Sequence, residues 1–587
     1  MLMNSRLKLF GAVLGLSVSV PASAGQINFV YPAEGASIPN VPKTCIFGNI
    51  SPSTASLTIN GEKVTVYSNG GFIAYLPVSG GDFVFKGELS DGTTAQRKLN
   101  VRRPDPLRVS TGALSLELSS YPSDAEVMPG DYIRVSVDGT PGREGVFSLG
   151  KLLNDAPLSE IPAGSGKYYG SYKVRREDQG AEFFPSARFK AGLFAHGASD
   201  KAKGRVTVLG SPSIVETSTD TVVLRDGPEG GYMMFLPKGV KLVSTGRLNG
   251  MRRIALSPSA EGWVEDVKVQ PASGAPYPFG PAAETSTIHL KQTGFGCSAA
   301  VGIYEKVPFV AEELANGLRV TLYYTNLHTN YVVYDSSDTL VKNVSFRQTG
   351  VNTAQIDFET APGALWGYNI SYSTSDKALE VDLRAAPKPS MSRSNPLSGL
   401  TIVLDPGHSP KNTSPYDGAI GPMGTFEYQV NMAIARKLNE DLLALGASVQ
   451  MTRSGDETVA LADRPGKAKD LGGDLFISIH NNAIGDGEDP FSQPRGFSIF
   501  HYQRHSMDLA AAVHRSYVKN IPLPDEGLRY GDYLVARMTW MPAILVESAY
   551  MIFPDQEEML NSPGFQARLA SAITEGVLDF FNAPDKR

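Results

Sequence analysis

The hydrophobic pattern of this chain changes near residue 399 of its 587 residues. Ahead of that point, short runs of β-branched and aromatic residues alternate with turn signals, which is typical of β-rich modules. Beyond it, apolar strands alternate with stretches of helical periodicity, which predicts a largely parallel sheet with flanking helices. One hydrophobic core seldom extends over so many residues. We therefore expect a multidomain fold, with several all-β modules followed by one α/β domain.

The first 24 residues have the pattern of an export signal. Arg6 and Lys8 precede an apolar stretch over residues 9–20, and small residues suited to a cleavage site follow at 22–24. The stretch is too short to span a bilayer, and no later apolar run is long enough to do so. We therefore predict a signal peptide over residues 1–24, no stable membrane span, and a protein exported to the periplasm or cell envelope.

Charge and cysteine content argue against several classes of protein. The chain has 54 Lys and Arg against 60 Asp and Glu, a net charge of −6, which gives no basic footprint for nucleic acid. Its two cysteines, Cys45 and Cys297, are too few for a thiolate metal cage or a disulfide framework. They fall in different predicted modules, so a mutual disulfide and two unpaired thiols are both open interpretations.

The first two modules are predicted from strand runs broken by turn residues. Residues 25–104 include the run 55–59, which ends at Asn60-Gly61, a strong hairpin signal. This region resembles an immunoglobulin-like β-sandwich. Residues 105–213 continue the pattern, with a clear strand at 132–137, and predict a second β-module.

Residues 214–273 carry a more specific pattern, which ends in Gly262-Trp263-Val264. This pattern is similar to that of bacterial SH3-like domains. In that family such a stretch closes a small barrel, and the domain usually binds cell-wall or peptide ligands. For Trp263 the alternative is simple core packing, because aromatic side chains dominate small cores.

Residues 284–386 predict a further β-domain, whose run 379–383 alternates as an edge strand would. Its place ahead of the α/β segment resembles the peptidoglycan-targeting domain found beside cell-wall amidases. Residues 387–398 are rich in proline and serine and predict an exposed linker. We expect the β-modules to hold the chain near a polymeric substrate and so raise its local concentration.

Four side chains stand at predicted element ends within residues 399–583. His408, His480 and Glu547 follow buried strands, and Glu427 lies in the first turn of a helix. Ligands gather outside the carboxyl ends of parallel strands, so these side chains are expected at one edge of the sheet. Two imidazoles and one carboxylate suit a catalytic zinc ion with an open position for water. The remaining carboxylate could then accept a proton from that water.

This segment resembles the zinc-dependent N-acetylmuramoyl-L-alanine amidase family. The stretches that match, in the family's order, are residues 402–408, 417–421, 427, 452–453, 474–483 and 541–547. The resemblance implies a zinc amidase catalytic domain over residues 399–583, with one Zn²⁺ held by His408, Glu427 and His480 and with Glu547 as the catalytic glutamate. The implied substrate is peptidoglycan, cut at the amide between the lactyl group of N-acetylmuramic acid and the L-alanine of the stem peptide.

Further residues of this segment are candidates for supporting roles. We expect Asp405 and Asn481 to support the ligands or to shape the loops around them, and a carboxylate near His408 could also fix the tautomer of that ring. Asn481 and Arg529 are candidate substrate contacts. Arg453 and Arg464 are expected either to contact substrate carboxylates or to pair on a helix surface.

The segment departs from the family at two places. Ser409-Pro410 stands where the family commonly has two glycines, and residues 411–415 predict an enlarged loop beside the cleft. Some family members carry an inserted helix after the second histidine that plugs the zinc site until a partner removes it. Here only a short loop over 484–494 and one ordinary helix follow, so we expect an open site, and a protein activator is not evident.

Two alternative functions stay open at this stage. A zinc peptidase could use the same machinery to cut within the stem peptide, because the metal does not select the amide. A non-catalytic cell-wall-binding protein would need only the β-modules, and the presence of all four key residues argues against it.

Overall fold

The computed structural model describes residues 25–102, 114–190, 198–272, 283–335, 340–373, 375, 377–390, 392–410, 417–492 and 494–583. The predicted signal peptide and the predicted enlarged loop at 411–415 lie outside these described residues. The described chain is multidomain, with β-rich sheets ahead of an α/β domain, which confirms the predicted order of fold classes.

Residues 25–102 fold into two facing sheets. The strands are β1 Gln26–Tyr31, β2 Ala36–Ile38, β3 Lys43–Ser51, β4 Leu57–Ile59, β5 Glu62–Val64, β6 Gly71–Pro77, β7 Gly81–Leu89 and β8 Thr94–Val101. One sheet has the order β1-β3-β6 and the other β2-β8-β7-β4-β5. Ile46 and Phe72 from the first sheet pack with Leu57, Phe85 and Leu99 from the second. Side chains alternate along each strand, so each sheet contributes one apolar face to this core.

The next two predicted modules share one sheet. Their strands are β9 Leu116–Leu118, β10 Ala125–Val127, β11 Tyr132–Gly139, β12 Gly145–Ser148, β13 Ala156–Glu160, β14 Lys167–Lys173, β15 Glu182–Phe183, β16 Ser186–Phe189, β17 Ser199–Lys201, β18 Val206–Val208, β19 Ser213–Thr217, β20 Val222–Arg225, β21 Tyr232–Leu236, β22 Lys241–Leu248, β23 Met251–Ser257, β24 Ala260–Glu265 and β25 Val269–Pro271. Strands β19 to β25 form a near-barrel, and β10, β15 and β18 extend its sheet through the pairing of β10 with β22. An ion pair between Arg253 and Asp131 also crosses the predicted boundary at residue 213, with an N–O distance of 2.6 Å. The two modules therefore form one continuous unit.

Trp263 is only partly buried, and it is absent from the closely packed interior of the near-barrel. That interior consists of Val222, Leu224, Leu242, Ile254 and other apolar side chains. The neighbouring Val264 is fully buried in this core. Core packing, the simpler of the two interpretations of Trp263, therefore does not fully explain that residue.

Residues 283–385 form two further sheets around a separate core. The strands are β26 Ala283–Thr293, β27 Gly296–Ile303, β28 Phe309–Leu314, β29 Gly317–Tyr323, β30 Thr325–Asn326, β31 Val332–Tyr334, β32 Asn343–Gly350, β33 Thr353–Glu359, β34 Leu365–Tyr372 and β35 Ala378–Ala385. The run predicted as an edge strand lies in β35, which pairs with β27 on one side and β34 on the other. The edge prediction is wrong because acidic residues alternate here on a half-exposed face of an interior strand. Cys297 is buried in this domain and Cys45 in the first, and both are unpaired, so they form no disulfide with each other.

The C-terminal domain is a six-stranded sheet flanked by helices. Its elements are β36 Thr401–Pro406, α1 Glu427–Ala444, β37 Ser448–Met451, α2 Arg464–Asp470, β38 Leu475–Asn482, β39 Phe497–His501, α3 Met507–Asn520, β40 Asp525–Tyr530, β41 Ala543–Tyr550, α4 Pro554–Asn561 and α5 Pro563–Asn582. The order is β37-β36-β38-β41-β39-β40, and the sheet is parallel except that β39 runs antiparallel to β41. The apolar faces predicted for α1 and α5 meet the sheet in one core that includes Ile434, Leu438, Leu569 and Ile573. No helix in the described parts of the chain is long and apolar enough to cross a membrane.

The β-domain at 283–385 packs directly against the α/β domain. Trp366 of β34 is 3% exposed and belongs to the core of the α/β domain, with its ring centroid 5.5 Å from that of Phe580 and 5.9 Å from that of Phe581. Its indole Nε1 donates to the carbonyl of Asp474 at 2.8 Å. The two domains therefore share a core, although the sequence between them predicts an exposed linker.

We expect Trp366→Ala to destabilise this pair of domains strongly. Removing a buried indole leaves a cavity and an unpaired carbonyl, which typically costs about 3–5 kcal/mol of unfolding free energy. The urea midpoint of the pair, followed by circular dichroism, should fall markedly. Tyr304→Ala is the matched control, because Tyr304 is 69% exposed in the same β-domain and its loss should leave the midpoint nearly unchanged. Equal midpoints for both variants would contradict the shared core.

The first sandwich folds back onto the α/β domain. Asn49 Nδ2 donates to the carbonyl of Pro422 at 2.7 Å, Asn69 Nδ2 to that of Pro554 at 2.8 Å, and the Tyr75 hydroxyl to that of Gly487 at 2.7 Å. Between these bonds lies an apolar cluster of Phe47, Ile73, Ile420, Tyr550, Ile552 and Phe553. The loop after β38 is thus held against the sandwich. The sequence predicts a tether near substrate, and the structure adds a direct contact with the domain that carries the predicted site.

Candidate active site

Three of the four predicted key residues lie on neighbouring parallel strands or just beyond them. His408 follows the end of β36 by two residues and has a positive φ of 57°, so the backbone turns sharply there. His480 and Glu547 lie inside β38 and β41, where they are direct register partners. Sequence analysis places both just past the strand ends, but the strands continue through them to Asn482 and Tyr550. Glu427 is the first residue of α1, as predicted.

His408, Glu427 and His480 form a compact donor cluster. One ligand atom from each lies within 4.8 Å of the other two. His408 Nε2 is 3.3 Å from Glu427 Oε2, and His480 Nδ1 is 3.1 Å from Glu427 Oε1. Gly407 makes this approach feasible, because a Cβ at that position would lie 2.3 Å from the His480 ring.

The donor set fits a divalent metal ion. Two imidazole nitrogens and one carboxylate oxygen are the ligands of many catalytic zinc sites, which keep a further position for water. Burial lowers the pKa of His408, which favours the neutral ring that a ligand requires. Burial is the largest influence on His480 and opposes its charge, but the hydrogen bond with Glu427 and the negative charges of Glu427 and Glu547 together outweigh burial and raise the pKa of His480. A cation in this cluster would supply the positive charge that the proton on His480 otherwise provides.

Glu427 is held as a carboxylate by hydrogen bonds from three sides. The amide of Ala419 donates to Oε2 at 2.8 Å, and Oε1 accepts from the amide of Asn481 at 3.1 Å and from Asn431 Nδ2 at 3.2 Å. Burial acts to raise the pKa of Glu427, but the contacts with His480 and His408 lower it to about 2. A buried carboxylate that stays ionised over this range is suited to metal binding.

Glu547 has the opposite electrostatic character. It lies opposite His480 in the sheet, outside the three-residue donor cluster. Its Oε2 is buried and has no hydrogen-bond partner among the described residues. Burial raises the pKa of Glu547 to about 8. A buried carboxyl group with a pKa near neutrality and a free oxygen is suited to accept and return a proton.

The second imidazole nitrogen of His408 meets Asp417. The distance from Nδ1 to Oδ1 is 3.2 Å, and the other carboxylate oxygen accepts from the amide of Ser409 at 2.9 Å. Ser409 is buried, and a glycine at this position would offer the same backbone donor. A carboxylate in this position fixes the tautomer of a metal-binding histidine.

The C-terminal domain is similar to known amidases. Residues 402–579 match the family model described as N-acetylmuramoyl-L-alanine amidase. Residues 402–579 therefore form an amidase domain. The chain is 34% identical over 190 residues to "Probable cell wall amidase LytH" of Staphylococcus epidermidis. This match covers 32% of this chain and 61% of that protein. The chain is also 32% identical over 187 residues to "N-acetylmuramoyl-L-alanine amidase LytC" of Bacillus subtilis. That match covers 32% of this chain and 36% of the other protein.

Among solved structures, the chain is similar to "N-acetylmuramoyl-L-alanine amidase AmiC2 of Nostoc punctiforme". The sequence identity is 31%, the match covers 31% of this chain and 98% of that chain, and the TM-score is 0.29. The chain spans less than two thirds of the length of the curated relatives, about 61% of the LytH protein. The family match lies within the C-terminal domain.

We expect Asp417→Asn to weaken metal binding by the amidase domain without unfolding it. An amide cannot fix the His408 tautomer as a carboxylate does, and such changes usually cost about 10–100-fold in metal affinity. Competition with a chromogenic zinc chelator measures the effect. Asp456→Asn, at a loop position in the same domain with no hydrogen bond to the donor cluster, is the control. Unchanged zinc affinity in Asp417→Asn would contradict the role of this contact.

Asp405 does not contact the His408 ring, so it does not fix the tautomer, and its contacts are those of a group that shapes the loop. Its fully buried carboxylate instead accepts from Ser478 Oγ at 2.7 Å and from Arg464 at 2.5 Å. Arg464 in turn donates to the carbonyl of His408 at 3.1 Å. Asp405 therefore supports the backbone at His408 indirectly, through Arg464.

Arg453 and Arg464 are buried, which contradicts both roles suggested by the sequence. Arg453 is 0% and Arg464 3% exposed. Arg453 donates to the carbonyls of Pro406 and Gly407, which lead the chain to His408, and to two carbonyls from other segments, those of Tyr428 and Gly455. Both guanidinium groups therefore satisfy backbone carbonyls under the site, where neither can reach a substrate or pair on a surface.

The two candidate substrate contacts lie in different settings. Asn481 is 2% exposed and donates to Asn431 Oδ1 at 2.9 Å, so it supports Glu427 and cannot face a substrate as predicted. The Arg529 side chain is 45% exposed at the end of β40, and Glu526 holds it at 3.2 Å. Glu526 also accepts from the Tyr550 hydroxyl at 3.1 Å, close to Glu547.

Sequence analysis assigns no role to three residues that shape the site. Asp417 lies in a stretch that matches the family, which was the available signal. Asn431 stands one helical turn after Glu427 on α1 and bonds both Glu427 and the Gly407 carbonyl. Glu557 accepts from the amides of Met423 and Thr425 at 2.7 and 3.0 Å. These residues lie 134 and 132 positions before Glu557, and no local signal in the sequence links the two segments.

Proposed function

We propose that this protein is an exported, zinc-dependent N-acetylmuramoyl-L-alanine amidase of the cell envelope. Its substrate is peptidoglycan, cut between the lactyl group of N-acetylmuramic acid and the L-alanine of the stem peptide. The observation that carries this proposal is the pairing of the three-residue donor cluster with the neighbouring, protonatable Glu547 inside an amidase domain.

His408, Glu427 and His480 are assigned as the ligands of one Zn²⁺. When bound, zinc polarises a carbonyl and lowers the pKa of a water molecule. Glu427 supplies the negative charge of the ligand set, and its three hydrogen bonds hold it in place before the ion arrives. Asp417 fixes the orientation of His408.

Glu547 is assigned as the general base and acid. Its unpartnered oxygen accepts a proton from the attacking water and then returns it to the leaving amine. Arg529, half exposed on the outer strand β40, is a candidate contact for a carboxylate of the stem peptide.

The other parts of the chain receive supporting proposals. Residues 25–104 are proposed as an immunoglobulin-like sandwich, 105–213 as a β-module, and 214–273 as an SH3-like domain. Residues 284–386 are proposed as a wall-targeting domain, followed by the linker at 387–398. Residues 1–24 are proposed as the export signal. The side chains of His408 and His480 are 30% and 16% exposed, which supports a site open to substrate without an activator.

Digestion of purified peptidoglycan tests the proposed function. The zinc-loaded protein should release intact stem peptides with free N-terminal L-alanine, detected by mass spectrometry, and a chelator should stop the release until zinc is restored. Shortened peptides would favour a peptidase acting within the stem. Equal binding with no release at any metal content would favour a non-catalytic wall-binding protein.

A further inference from the structure

The first sandwich has a second apolar face, which points away from its own core. Side chains alternate between the two faces along β3 and β6. Ile46 and Phe72 point into the sandwich core, whereas their neighbours Phe47 and Ile73 belong to the apolar cluster shared with the amidase domain. Phe47 and Ile73 are each only 3% exposed. We call these two side chains the outer face of the sandwich.

The outer face packs on one loop of the amidase domain. We call residues 417–426 the site hairpin, because its two sides meet in an antiparallel bridge between Ile420 and Phe426. Ile420 is buried in the same apolar cluster as Phe47 and Ile73, and Phe426 packs against that cluster. The sandwich therefore supports both sides of the hairpin.

Polar contacts hold the tip of the site hairpin from two directions. From the sandwich, Asn49 Nδ2 donates to the carbonyl of Pro422 at 2.7 Å. From α4, the Glu557 carboxylate accepts from the amides of Met423 and Thr425 at 2.7 and 3.0 Å. The hairpin is thus clamped between the first sandwich and the amidase domain.

The site hairpin carries two of the contacts that hold the proposed zinc ligands. Asp417 Oδ1 lies 3.2 Å from His408 Nδ1, and the amide of Ala419 donates to Glu427 Oε2 at 2.8 Å. Ala419 and Glu427 are also the direct chain neighbours of the two bridge residues. A shift of the bridge would therefore displace a ligand and a group that holds it.

The same interface reaches the segments of the other two key residues. Ile484 packs against the apolar cluster four positions after His480. Tyr550 is buried in the cluster three positions after Glu547 on β41. Packed interiors transmit small displacements, because they contain few voids in which a side chain can move independently. The outer face is therefore packed against segments that lead to both sides of the donor cluster.

We propose that Phe47 and Ile73 are positioning residues of the amidase site, which order the donor cluster through the site hairpin before zinc binds. The proposal rests on the proposed function, since it takes zinc as the ion of that cluster. Groups that orient metal ligands strengthen metal binding because they hold the ligands in the bound geometry beforehand. A simple tether differs in its effect, since it raises the local concentration of a polymeric substrate and leaves metal affinity unchanged.

Zinc affinity of the full chain tests this proposal. The double variant Phe47→Ala/Ile73→Ala leaves the sandwich core in place and should weaken zinc binding about tenfold, measured by competition with a chromogenic chelator. Phe47→Leu keeps a large apolar side chain and should retain most of the affinity. Asn49→Ala touches neither core and should weaken zinc binding by a smaller factor, about threefold. Wild-type zinc affinity in the double variant and in Asn49→Ala would overturn the proposal.

Leu57→Ala is the control for general loss of stability. Leu57 is fully buried in the sandwich core on the second sheet and lies outside the apolar cluster shared with the amidase domain. Its truncation should lower the urea midpoint of the sandwich and leave zinc affinity at the wild-type value, at urea concentrations where circular dichroism shows a folded chain. An equal loss of zinc affinity in Leu57→Ala and in the double variant would overturn a specific role for the outer face.

Kinetics on a soluble muropeptide separate positioning from tethering. At buffered free zinc near the wild-type Kd, the double variant should turn over about fivefold more slowly, as a tenfold weaker affinity implies, and excess zinc should restore the rate. KM should stay unchanged. A loss confined to polymeric peptidoglycan would reduce the sandwich to a tether and overturn the proposal.

Zinc binding also distinguishes failure of this proposal from failure of the amidase assignment. If the wild type binds zinc more tightly than the double variant but releases no stem peptide, the amidase proposal fails and the positioning proposal stands. If the wild type releases stem peptides and the double variant keeps wild-type zinc affinity, the positioning proposal alone fails.

Discussion

Glu547→Gln is expected to lower turnover on peptidoglycan by about 100- to 10,000-fold while zinc stays bound. Glutamine has nearly the same shape as glutamate but cannot take a proton from the attacking water. Glu547 lies outside the donor cluster of His408, Glu427 and His480, so its replacement should leave the metal content unchanged. Initial rates of stem-peptide release, together with elemental analysis of the purified protein, measure both effects.

Glu558→Gln provides the control for this variant. Glu558 is an exposed glutamate on α4 of the same domain, so its change should alter neither rate nor zinc content. A Glu547→Gln protein with the wild-type rate would contradict its role as the base. A variant that loses zinc together with activity would instead make Glu547 a metal ligand.

His480→Ala is expected to remove both zinc and activity. The change deletes one of three donors and also leaves the buried Glu427 carboxylate without the closer of its two imidazole partners. Loss of a ligand from a three-residue site should reduce bound zinc well below one ion per chain and reduce stem-peptide release to background. Elemental analysis after dialysis and the release assay test the two parts.

His328→Ala is the matched control, because the His328 side chain is 58% exposed in the β-domain and lies outside the donor cluster. It should keep wild-type zinc content and rate. Full zinc occupancy in His480→Ala would contradict the ligand assignment, and full activity without zinc would contradict a metal-dependent reaction.

The parts of the fold that depend on local pattern were predictable. The period of the apolar residues in α1 and α5 predicts buried faces that the structure confirms. Buried β-rich runs predict β36, β38 and β41, which bring His408, His480 and Glu547 to one edge of the sheet. Each of these signals lies within a few residues of the feature that it predicts.

The parts that depend on tertiary contacts were not predictable. Asp405 and Asp417 are both near His408 in sequence, and only the path of the loop decides which carboxylate meets the ring. Arg453 and Arg464 would be exposed on average, but buried carbonyls of the turn before His408 hold them inside. Burial of a charge depends on partners from other segments, which residue type alone does not specify.

Contacts between distant modules were equally invisible in the sequence. The bond from Asn49 to Pro422 joins residues 373 positions apart, and the contact of Arg537 with Tyr232 joins two predicted domains. Sequence analysis therefore treats the β-modules as separate tethers. In the structure, the first sandwich contacts a loop beside the proposed site, and the near-barrel contacts the amidase domain through the Tyr232 ring and Arg537.

Digestion in water enriched in heavy oxygen tests the proposed amidase reaction most directly. Hydrolysis of the lactyl amide places one heavy oxygen on the new carboxylate of N-acetylmuramic acid and none on the released stem peptide. We predict that mass spectrometry of the products of the zinc-loaded protein will show this distribution. A heavy oxygen on a new C-terminal carboxylate of a peptide fragment, with an unlabelled glycan, would contradict the account.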